Sequence, residues 1–371
     1  MRIGTVNLPS PFVVAPMAGM TDSAFRRLVK RHGGCGLVVT EMVSSEGLVR
    51  GIDRTLEYAE YTEEERPIAI QIFGGDPEKM AAAARIVEGM GADIVDVNMG
   101  CPVPKIAKHS AGCSLMKEPE HAATIVRAMT RAVQIPVTVK MRAGWNDRAR
   151  NAPDVARRVE DAGAAAITIH GRTAEQSYTG FADWDLVSSV AERLTIPVFG
   201  SGDCVEPEQV VHRLAAGVSG VLVGRGVLRN PWILAQAADL RVGRPARPVT
   251  LAERGRFLHE YIDLLLNERV NEREGFRHVA PGTQGRPGPG ASGLEPSSAD
   301  RVARGHDRWV INKIRALCSW YSKGLDGGSH LRVRVNSASS LAELRASVDD
   351  FFFAAAGATP QSSTAAATAL V

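Results

Sequence analysis

Short apolar runs alternate with longer amphipathic stretches over the first 240 residues of the chain. Eight of the short runs are rich in Val and Ile, and each ends in polar residues or glycine. The predicted strands are Phe12–Ala15, Gly36–Met42, Ile68–Phe73, Ile94–Asn98, Val137–Met141, Ala166–His170, Pro197–Gly200 and Gly220–Gly224. The clearest helical patterns between them are Pro77–Met90, Pro119–Ala132, Ala152–Ala162 and Glu206–Ala216. Near-continuously apolar strands that alternate with helices indicate a parallel sheet.

Eight strand–helix units favour closure of that sheet into a (β/α)8 TIM barrel. The alternative is an open doubly wound sheet. It is less favoured because no Gly-x-Gly-x-x-Gly follows the first strand, where a dinucleotide-binding fold carries it.

The alternation stops after about residue 240. Leu251–Val270 has the pattern of one amphipathic helix, and helical patterns return at Trp309–Tyr321 and Leu341–Phe353. Between them, Gly, Pro and Ser fill twelve of the twenty positions of Pro281–Asp300, a composition that favours a flexible insertion at about 275–305. We therefore predict an α/β chain with a barrel over residues 1–240, a small all-helical domain over 241–353 and a frayed tail over 354–371.

Composition narrows the class of protein. The 371 residues are 44% hydrophobic, enough to form a large core without disulfides or a structural metal. The five cysteines are scattered with no Cys-x-x-Cys, as expected in a reducing compartment and without a zinc site. The chain starts without a signal-like apolar run and contains no apolar stretch that could span a membrane. We expect a cytoplasmic protein with no metal and no membrane partner.

Positive charge is concentrated near the end of the chain. The whole sequence has a net charge of only +3, but Arg301–Arg345 contains nine Lys or Arg against three Asp or Glu. Two interpretations remain open on composition alone: a solvated helical face, or a surface that contacts the phosphates of a nucleic acid.

Barrel enzymes carry their sites on the loops that follow the strands. The seventh predicted strand leads into Gly200-Ser201-Gly202-Asp203 and the eighth into Gly224-Arg225-Gly226. Glycine turns expose backbone N–H groups, and at these two strand ends they form the usual phosphate site of a barrel. Arg225 can add a charge-assisted contact.

Three further side chains near strand ends indicate which class of ligand the site binds. Gln71, Lys140 and His170 project from the third, fifth and sixth strands. An amide, an ammonium and an imidazole around a phosphate-anchored ligand suit an electron-rich ring such as a flavin. A lone lysine at a strand end is more often a surface residue, but here it has two partners at equivalent positions.

Cys101 is the candidate reactive residue. It follows the fourth strand in Asn98-x-Gly100-Cys101-Pro102. An unperturbed thiol has a pKa of about 8.5, so near neutral pH it is protonated and can donate a proton. The competing interpretation is a small buried hydrophobic residue.

These segments resemble the tRNA-dihydrouridine synthases and are most similar to the bacterial B-type branch. The resemblance covers about residues 10–240. Its motifs are Ala15-Pro16-Met17-Ala18-Gly19-Met20-Thr21-Asp22, Gln71-Ile72-Phe73-Gly74, Val95-Asp96-Val97-Asn98-Met99-Gly100-Cys101-Pro102 with Gly112, Lys140-Met141-Arg142, His170-Gly171-Arg172-Thr173 with Gln176, Tyr178, Gly180 and Ala182-Asp183-Trp184, and Gly224-Arg225 with Asn230-Pro231-Trp232.

The resemblance implies an FMN-dependent reduction of tRNA uridines to 5,6-dihydrouridine, with NADPH (or NADH) as the reductant. It implies hydride transfer from flavin N5 to uracil C6 and protonation of C5 by Cys101. The implied cofactor-binding residues are Pro16, Met17, Ala18, Gln71, Lys140, His170, Ser201, Gly202, Asp203, Gly224 and Arg225. The implied substrate residues are Asn98, Lys140, Arg142, His170, Arg172 and Arg315. The expected partner is tRNA, and the expected oligomeric state is a monomer.

The chain departs from the family pattern at two places. The family usually has Asn at the position of Ser201, whose shorter hydroxyl can still bond a phosphate or ribityl oxygen. B-type members have Arg-Lys-His before a Trp-Tyr pair, whereas this chain keeps Arg315 but has Ala316 and Leu317 before Trp320-Tyr321. The second departure, near the predicted insertion, leaves open how tRNA is held and which uridine is chosen.

Two other functions remain possible at this stage. One is an FMN barrel that reduces a small molecule such as a free pyrimidine, against which the basic helical extension argues. The other is a non-enzymatic RNA-binding module, against which the combination of Cys101, Lys140 and His170 argues.

Overall fold

The computed structural model describes residues 1–107, 110–270 and 296–353, without the side chains of residues 54, 268–270 and 296–304. The predicted insertion up to residue 295 and the predicted tail at 354–371 lie outside the described residues. None of the helices in the described ranges is long and apolar enough to cross a bilayer.

The strands form one closed barrel preceded by a hairpin. Their bounds are β1 Arg2–Ile3, β2 Val6–Asn7, β3 Phe12–Val14, β4 Leu37–Val39, β5 Val43–Ser44, β6 Ile68–Phe73, β7 Ile94–Met99, β8 Val137–Arg142, β9 Ala166–His170, β10 Val198–Ser201 and β11 Gly220–Val223. β3, β4 and β6–β11 pair in parallel around a ring, closed by β11 on β3 and by β4 on β6. The predicted TIM barrel is confirmed.

The strands contain few polar residues because both of their faces are buried. One face of each strand points into the barrel, where Val13, Val39, Phe199 and Leu222 form a buried cluster with Ile3 of the hairpin. The opposite face packs against the surrounding helices. Both faces are therefore buried, as expected for a parallel sheet. The two-residue strands of the hairpin, which covers one end of this core, are too short to show a sequence pattern.

The second predicted strand is shorter than expected. β4 ends at Val39, and the Thr40 hydroxyl accepts a hydrogen bond from the backbone N–H of Gln71 at 3.1 Å. The chain turns there and adds the short β5 beside β6. The predicted strand Gly36–Met42 was therefore too long, because strand pairing ends where the apolar run gives way to the polar Thr40 and Glu41.

The helices have conventional starts. Asp22, Asp76 and Asp183 accept backbone N–H bonds at the beginnings of three of them. The α-helices are α1 Ser23–His32, α2 Ser45–Val49, α3 Asp53–Glu57, α4 Pro77–Gly89, α5 Pro104–Ala107, α6 Pro119–Thr130, α7 Ala152–Asp161, α8 Trp184–Ala191, α9 Pro207–Leu214, α10 Arg225–Arg229, α11 Ile233–Arg241, α12 Leu251–Val270, α13 Pro296–Tyr321, α14 Gly328–Ser337 and α15 Leu341–Phe352. Two 3₁₀ turns lie at Glu63–Glu65 and Gly112–Lys117.

The helices α12–α15 pack on one another and on the barrel helix α1. The Phe257 ring of α12 lies 6.2 Å from Phe25 of α1 and stacks on Tyr321 of α13 at 5.5 Å, so the apolar core is continuous between the two parts. We call α12–α15 the helical region. The division of the chain into domains at residue 240 stays a prediction.

One boundary in the helical region was wrong. The predicted insertion extended to about residue 305, but α13 begins at Pro296 and is helical from there. Its physical reason is visible in the sequence: the Gly and Pro residues are concentrated before Pro296, and a proline is tolerated in the first turn of a helix. α14 was also not predicted, and its apolar residues give only a weak helical pattern.

Candidate active site at the mouth of the barrel

Adjacent strands bring most of the predicted residues to the carboxyl end of the barrel. In the sheet register Gln71 of β6 lies opposite Asp96, Asn98 of β7 opposite Lys140, and Arg142 of β8 opposite His170. Parallel strands end at the same edge, so these side chains meet at one mouth.

A chain of hydrogen bonds runs from inside the barrel to this mouth. The buried Asp96 carboxylate accepts from the Thr138 hydroxyl and from Gln71 Nε2, both at 2.6 Å. Gln71 Oε1 in turn accepts from Asn98 Nδ2 at 2.7 Å. Burial raises the pKa of Asp96, an effect that the two donated hydrogen bonds oppose. The network fixes the orientation of the Gln71 amide.

The same network positions the loop that carries Cys101. Asn98 Oδ1 accepts the backbone N–H groups of Gly100 and Cys101 at 3.1 and 2.9 Å. The Cys101 carbonyl accepts from the Cys113 backbone N–H at 3.1 Å. Cys101 is half-buried, whereas the other four cysteines are buried. Only this thiol combines a strand-end position with access to the mouth.

Lys140 and His170 form a positively charged and desolvated part of the mouth. Burial, with Arg142 nearby, lowers the pKa of Lys140 to about 8. Burial and four cations, Lys140 foremost, lower the pKa of His170 to about 2. The imidazole is therefore neutral at physiological pH, and its Nε2 is buried without a partner among the described residues.

The turn after β10 has the backbone shape expected of a ligand-binding turn. Gly202 has φ +127° and Asp203 φ +54°, and a Cβ at Gly202 would lie 2.5 Å from the Ala182 side chain, so only glycine fits there. Ser201 is buried at the end of β10. The Asp203 carboxylate accepts from Arg172 Nη2 and the Ala182 N–H, both at 2.6 Å. Asp203 thus holds Arg172 with its side chain.

Two buried polar atoms test whether a phosphate-bearing cofactor suits this mouth. Arg172 Nη1, like His170 Nε2, is buried and has no partner among the described residues, and both side chains approach the Gly202 turn. Arg142, Arg225 and Lys140 add positive charge around them. Unsatisfied buried polar atoms are costly, and an anionic ligand with several oxygens would accept from Arg172 Nη1 and, in the tautomer that carries a proton there, from His170 Nε2. The residues present fit a flavin phosphate.

Gly224 and Arg225 lie on the neighbouring strand end. Gly224 precedes α10, and a Cβ there would come within 3.6 Å of Met17 Sδ. The loop of Pro16, Met17 and Ala18 therefore lies beside the turn after β11. Residues from the first and last barrel strands meet here because the barrel is closed.

Arg142 uses its guanidinium to hold two loops together. Its Nε donates to the Gly100 carbonyl at 2.8 Å, and its Nη1 donates to the carbonyls of Thr173 and Ser177 at 2.9 and 3.0 Å. The loop that carries Cys101 is thereby tied to the loop after β9. The structure places Arg142 at the predicted site but commits these donors to backbone carbonyls.

Cations and aromatic rings alternate from the mouth to the helical region. Guanidinium carbons of Arg142 and Arg225 lie 5.9 and 5.0 Å from the Tyr178 ring, Arg225 also lies 5.9 Å from Trp320, and Lys323 Nζ lies 3.8 Å from Trp320. We call these five residues the cation–aromatic line. Tyr178 is 60% exposed, so a face of this line is open to a ligand.

Arg315 has a different place from the other predicted substrate residues. Its Nε and Nη2 donate to the carbonyls of Val335 and Ala338 at 3.3 and 2.8 Å, which caps the end of α14. Of its neighbours that depart from the family pattern, Leu317 is buried in the core and Ala316 is exposed.

Three charged side chains that position residues of the mouth were not predicted from the sequence. Asp96 orients Gln71, Glu41 accepts the Gly19 N–H at 2.5 Å, and Lys313 reaches the Gly19 carbonyl at 3.1 Å. A charged residue inside an apolar strand was an available signal for Asp96. Lys313 gave none, because its partners lie almost 300 residues away. No group of three or more His, Cys, Asp or Glu side chains that could hold a metal occurs in the described ranges.

Comparison with known proteins identifies relatives of the whole barrel. A family model described as dihydrouridine synthase matches residues 13–286. A probable tRNA-dihydrouridine synthase of Rickettsia conorii is 40% identical over 270 residues, covering 72% of this chain and 81% of that protein. A tRNA-dihydrouridine synthase B of Shewanella oneidensis is 38% identical, covering 75% of this chain and 86% of that protein.

One solved structure supports the fold alone. A 2-naphthoyl-CoA reductase complex superposes with a TM-score of 0.51 at 13% identity, covering 71% of this chain and 55% of that one.

Proposed function

Because this chain belongs to the dihydrouridine synthase family, we propose that it reduces particular uridines of tRNA to 5,6-dihydrouridine with FMN bound at the barrel mouth. The observation that carries the proposal is the cationic mouth with two unsatisfied buried polar atoms, His170 Nε2 and Arg172 Nη1, beside the Cys101 loop. NADPH, or NADH, is the reductant.

FMN would be held by loops that follow the first strand and the last two strands of the barrel. The turns at Ser201–Asp203 and Gly224–Arg225 would bind its phosphate, and the Pro16–Ala18 backbone would line its ring. Gln71, already oriented by Asp96, has a second amide N–H for a ring edge, and the Lys140 ammonium would be a further donor to the flavin ring. When bound and reduced, the cofactor supplies the hydride that reaches C6 of uracil.

Cys101 is the general acid. Its thiol donates the proton that C5 of the uracil ring needs to complete the reduction. Asn98 fixes the loop through two backbone N–H groups, and Arg142 holds it from the other side through Gly100. The thiol is thereby positioned by two side chains that belong to neighbouring strands.

Lys140 and His170 bind the uracil ring. A uracil presents carbonyl oxygens and an N3–H group, which match an ammonium donor and a neutral imidazole with a free ring nitrogen. Because both groups are desolvated, a hydrogen bond to either is stronger than the same bond in water. Arg172 completes the charge around this pocket.

The cation–aromatic line supports tRNA as the partner. Cations bind phosphates without reading sequence, and exposed aromatic rings accept unstacked bases. The line begins beside the Cys101 loop, passes Trp320 of α13 and ends at Lys323, two residues after that helix. A small pyrimidine would need only the mouth, so the extension to the helical region favours an RNA.

The test is direct. Purified protein is examined for flavin absorption and then incubated with an unmodified tRNA transcript and NADPH. We expect a yellow protein and uridines heavier by the mass of two hydrogens, mapped by mass spectrometry of nuclease fragments. The matched control is free uridine, which we expect to remain unchanged. Colourless protein that takes up no FMN, or unchanged tRNA with reduced free uridine, would contradict the proposal.

A further inference from the structure

Lys313 crosses from the helical region into the first loop of the barrel mouth. Its Nζ donates to the Gly19 carbonyl at 3.1 Å and lies 2.9 Å from Asp22 Oδ2 and 3.7 Å from Glu41 Oε1. The three charged side chains are 15%, 14% and 7% exposed, so this cluster is largely removed from water. Ion pairs this far buried are lost only at a cost, since a remaining partner stays uncompensated.

The loop that Lys313 contacts is the one proposed to line the flavin. It is stabilised within itself by the Thr21 hydroxyl, which accepts the Met17 N–H at 3.0 Å. From outside, Glu41 accepts the Gly19 N–H and Lys313 donates to the Gly19 carbonyl. The backbone N–H and the carbonyl of Gly19 are therefore both hydrogen-bonded to charged side chains.

A second contact from the helical region reinforces this arrangement. The Tyr261 hydroxyl of α12 donates to Asp22 Oδ2 at 2.8 Å, the oxygen that Lys313 also contacts. Asp22 Oδ1 meanwhile accepts the Phe25 N–H and begins α1. The end of the loop is thus fixed by two helices that the chain forms more than 200 residues later.

One ammonium faces two carboxylates in this cluster. The pKa of Lys313 is raised although burial opposes it, because Asp22 and Glu41 lie beside the ammonium. Burial raises the pKa of Glu41, an effect that Lys313 and the Gly19 N–H reduce. Lys313 is therefore a charged donor at physiological pH, and the loop depends on that charge.

We propose that Lys313 is a positioning residue that holds the Pro16–Ala18 backbone in the shape that receives the flavin. The helical region then takes part in cofactor binding as well as in RNA binding. This inference rests on the proposed function, because the loop has this role only if FMN binds beside it. It predicts a defect in FMN affinity that is separable from any loss of stability.

The experiment titrates FMN into apoprotein and follows the quenching of flavin fluorescence. Lys313→Met keeps most of the length of the side chain and removes its charge. We expect its FMN dissociation constant to rise about tenfold, as the loss of a charge-assisted hydrogen bond implies. Lys313→Arg should restore much of the affinity. The control Arg345→Gln removes a cation that bridges two helices of the helical region, α15 and α12, through Asp263, and it should bind FMN as the wild type does.

A double variant separates loop position from the cost of an unpaired acid. Glu41→Gln with Lys313→Met leaves no uncompensated charge from Glu41, and the amide oxygen can still accept the Gly19 N–H. We expect the melting temperature to recover in part, because Asp22 still lacks its ammonium partner and keeps only the Tyr261 and Phe25 donors, while FMN affinity stays low. Wild-type affinity in the double variant, or equal defects in Lys313→Met and Arg345→Gln, would overturn the inference. Wild-type protein that binds no FMN would instead contradict the proposed function.

Discussion

The barrel mouth and the helical region both contain many cations, but they use them differently. At the mouth, Lys140 has no ion pair among the described residues, and two buried polar atoms, His170 Nε2 and Arg172 Nη1, have no partner there. In the helical region, four of the nine cations that looked like a basic surface in the sequence are paired or used as caps. Their partners are Asp22 and Glu41 for Lys313, the end of α14 for Arg315, Asp350 for Arg334, and Asp263 for Arg345.

The difference supports the proposed ligand site at the mouth. Buried polar groups without partners reduce stability, and proteins retain them where a bound ligand satisfies them. A paired cation contributes to the fold and leaves little charge for a partner. The excess of positive charge in Arg301–Arg345 therefore overstates the basic surface of the helical region, whereas Lys323 on the cation–aromatic line is exposed and has no ion pair among the described residues.

The largest expected effect separates two cysteines, one from each region. Cys101→Ala removes the proposed acid and should lower the turnover number by about 10²–10⁴-fold, the usual contribution of general acid catalysis. FMN binding should be unchanged, because the loop is held through backbone groups. The measurement is single-turnover reduction of tRNA with flavin absorbance followed in parallel.

Cys318→Ala is the matched control for that prediction. Cys318 is buried in the helical region, and burial raises the pKa of its thiol to about 12. Its removal should change stability slightly and leave turnover close to that of the wild type. Full activity in Cys101→Ala would remove the proposed acid from the mechanism.

A smaller effect tests the unpaired charge at the mouth. Lys140→Met should weaken FMN binding about 10–100-fold, since a hydrogen bond from a charged donor is lost. The same change should raise the melting temperature of the apoprotein by about 2 °C, because a desolvated ammonium is removed. A loss of FMN affinity together with a gain in apoprotein stability is expected of a residue whose charge is satisfied only by the bound ligand. A fall in both would mean that Lys140 is structural.

The pH dependence of Lys140 follows from its lowered pKa. The folded apoprotein releases this proton near pH 8, whereas the unfolded chain holds it to about pH 10.5. Folding stability from this group therefore rises with pH between those values. FMN affinity should fall as pH rises through about 8, because the bound anion needs the charged form. Lys140→Met should lose that alkaline dependence while keeping the rest of the pH profile.

The fold could be predicted from the sequence because its signal is local. The runs Ile68–Phe73 and Ile94–Met99 are apolar enough to be recognised alone, and the amphipathic pattern of α12 gave both its ends. The hairpin β1–β2 and the helix α14 escaped because each is too short or too polar to show a period. The start of α13 escaped because the Gly and Pro count was averaged across Pro296.

The candidate site could be predicted only in part. Residues at strand ends, such as Lys140 and His170, follow from the barrel topology. Partners distant in the chain do not: nothing in the sequence connects Lys313 to Gly19, or Asp203 to Arg172. Whether a cation is free or paired depends on contacts made only in the folded chain, so charge counts along the sequence could not separate the two regions.

The smallest expected effect lies on the cation–aromatic line, where the two regions meet. Lys323 is exposed and lies over Trp320, so Lys323→Gln should weaken tRNA binding a few-fold and reduce the slope of log affinity against log salt by about 1. Arg334→Gln removes an equal charge that is paired with Asp350, and it should leave the slope nearly unchanged. Filter binding from low to moderate salt measures both variants, with FMN content as a check on folding. If the two variants lose affinity equally, ion pairing within the protein does not decide which cations contact the RNA. The contrast between paired and unpaired cations would then not hold for the helical region.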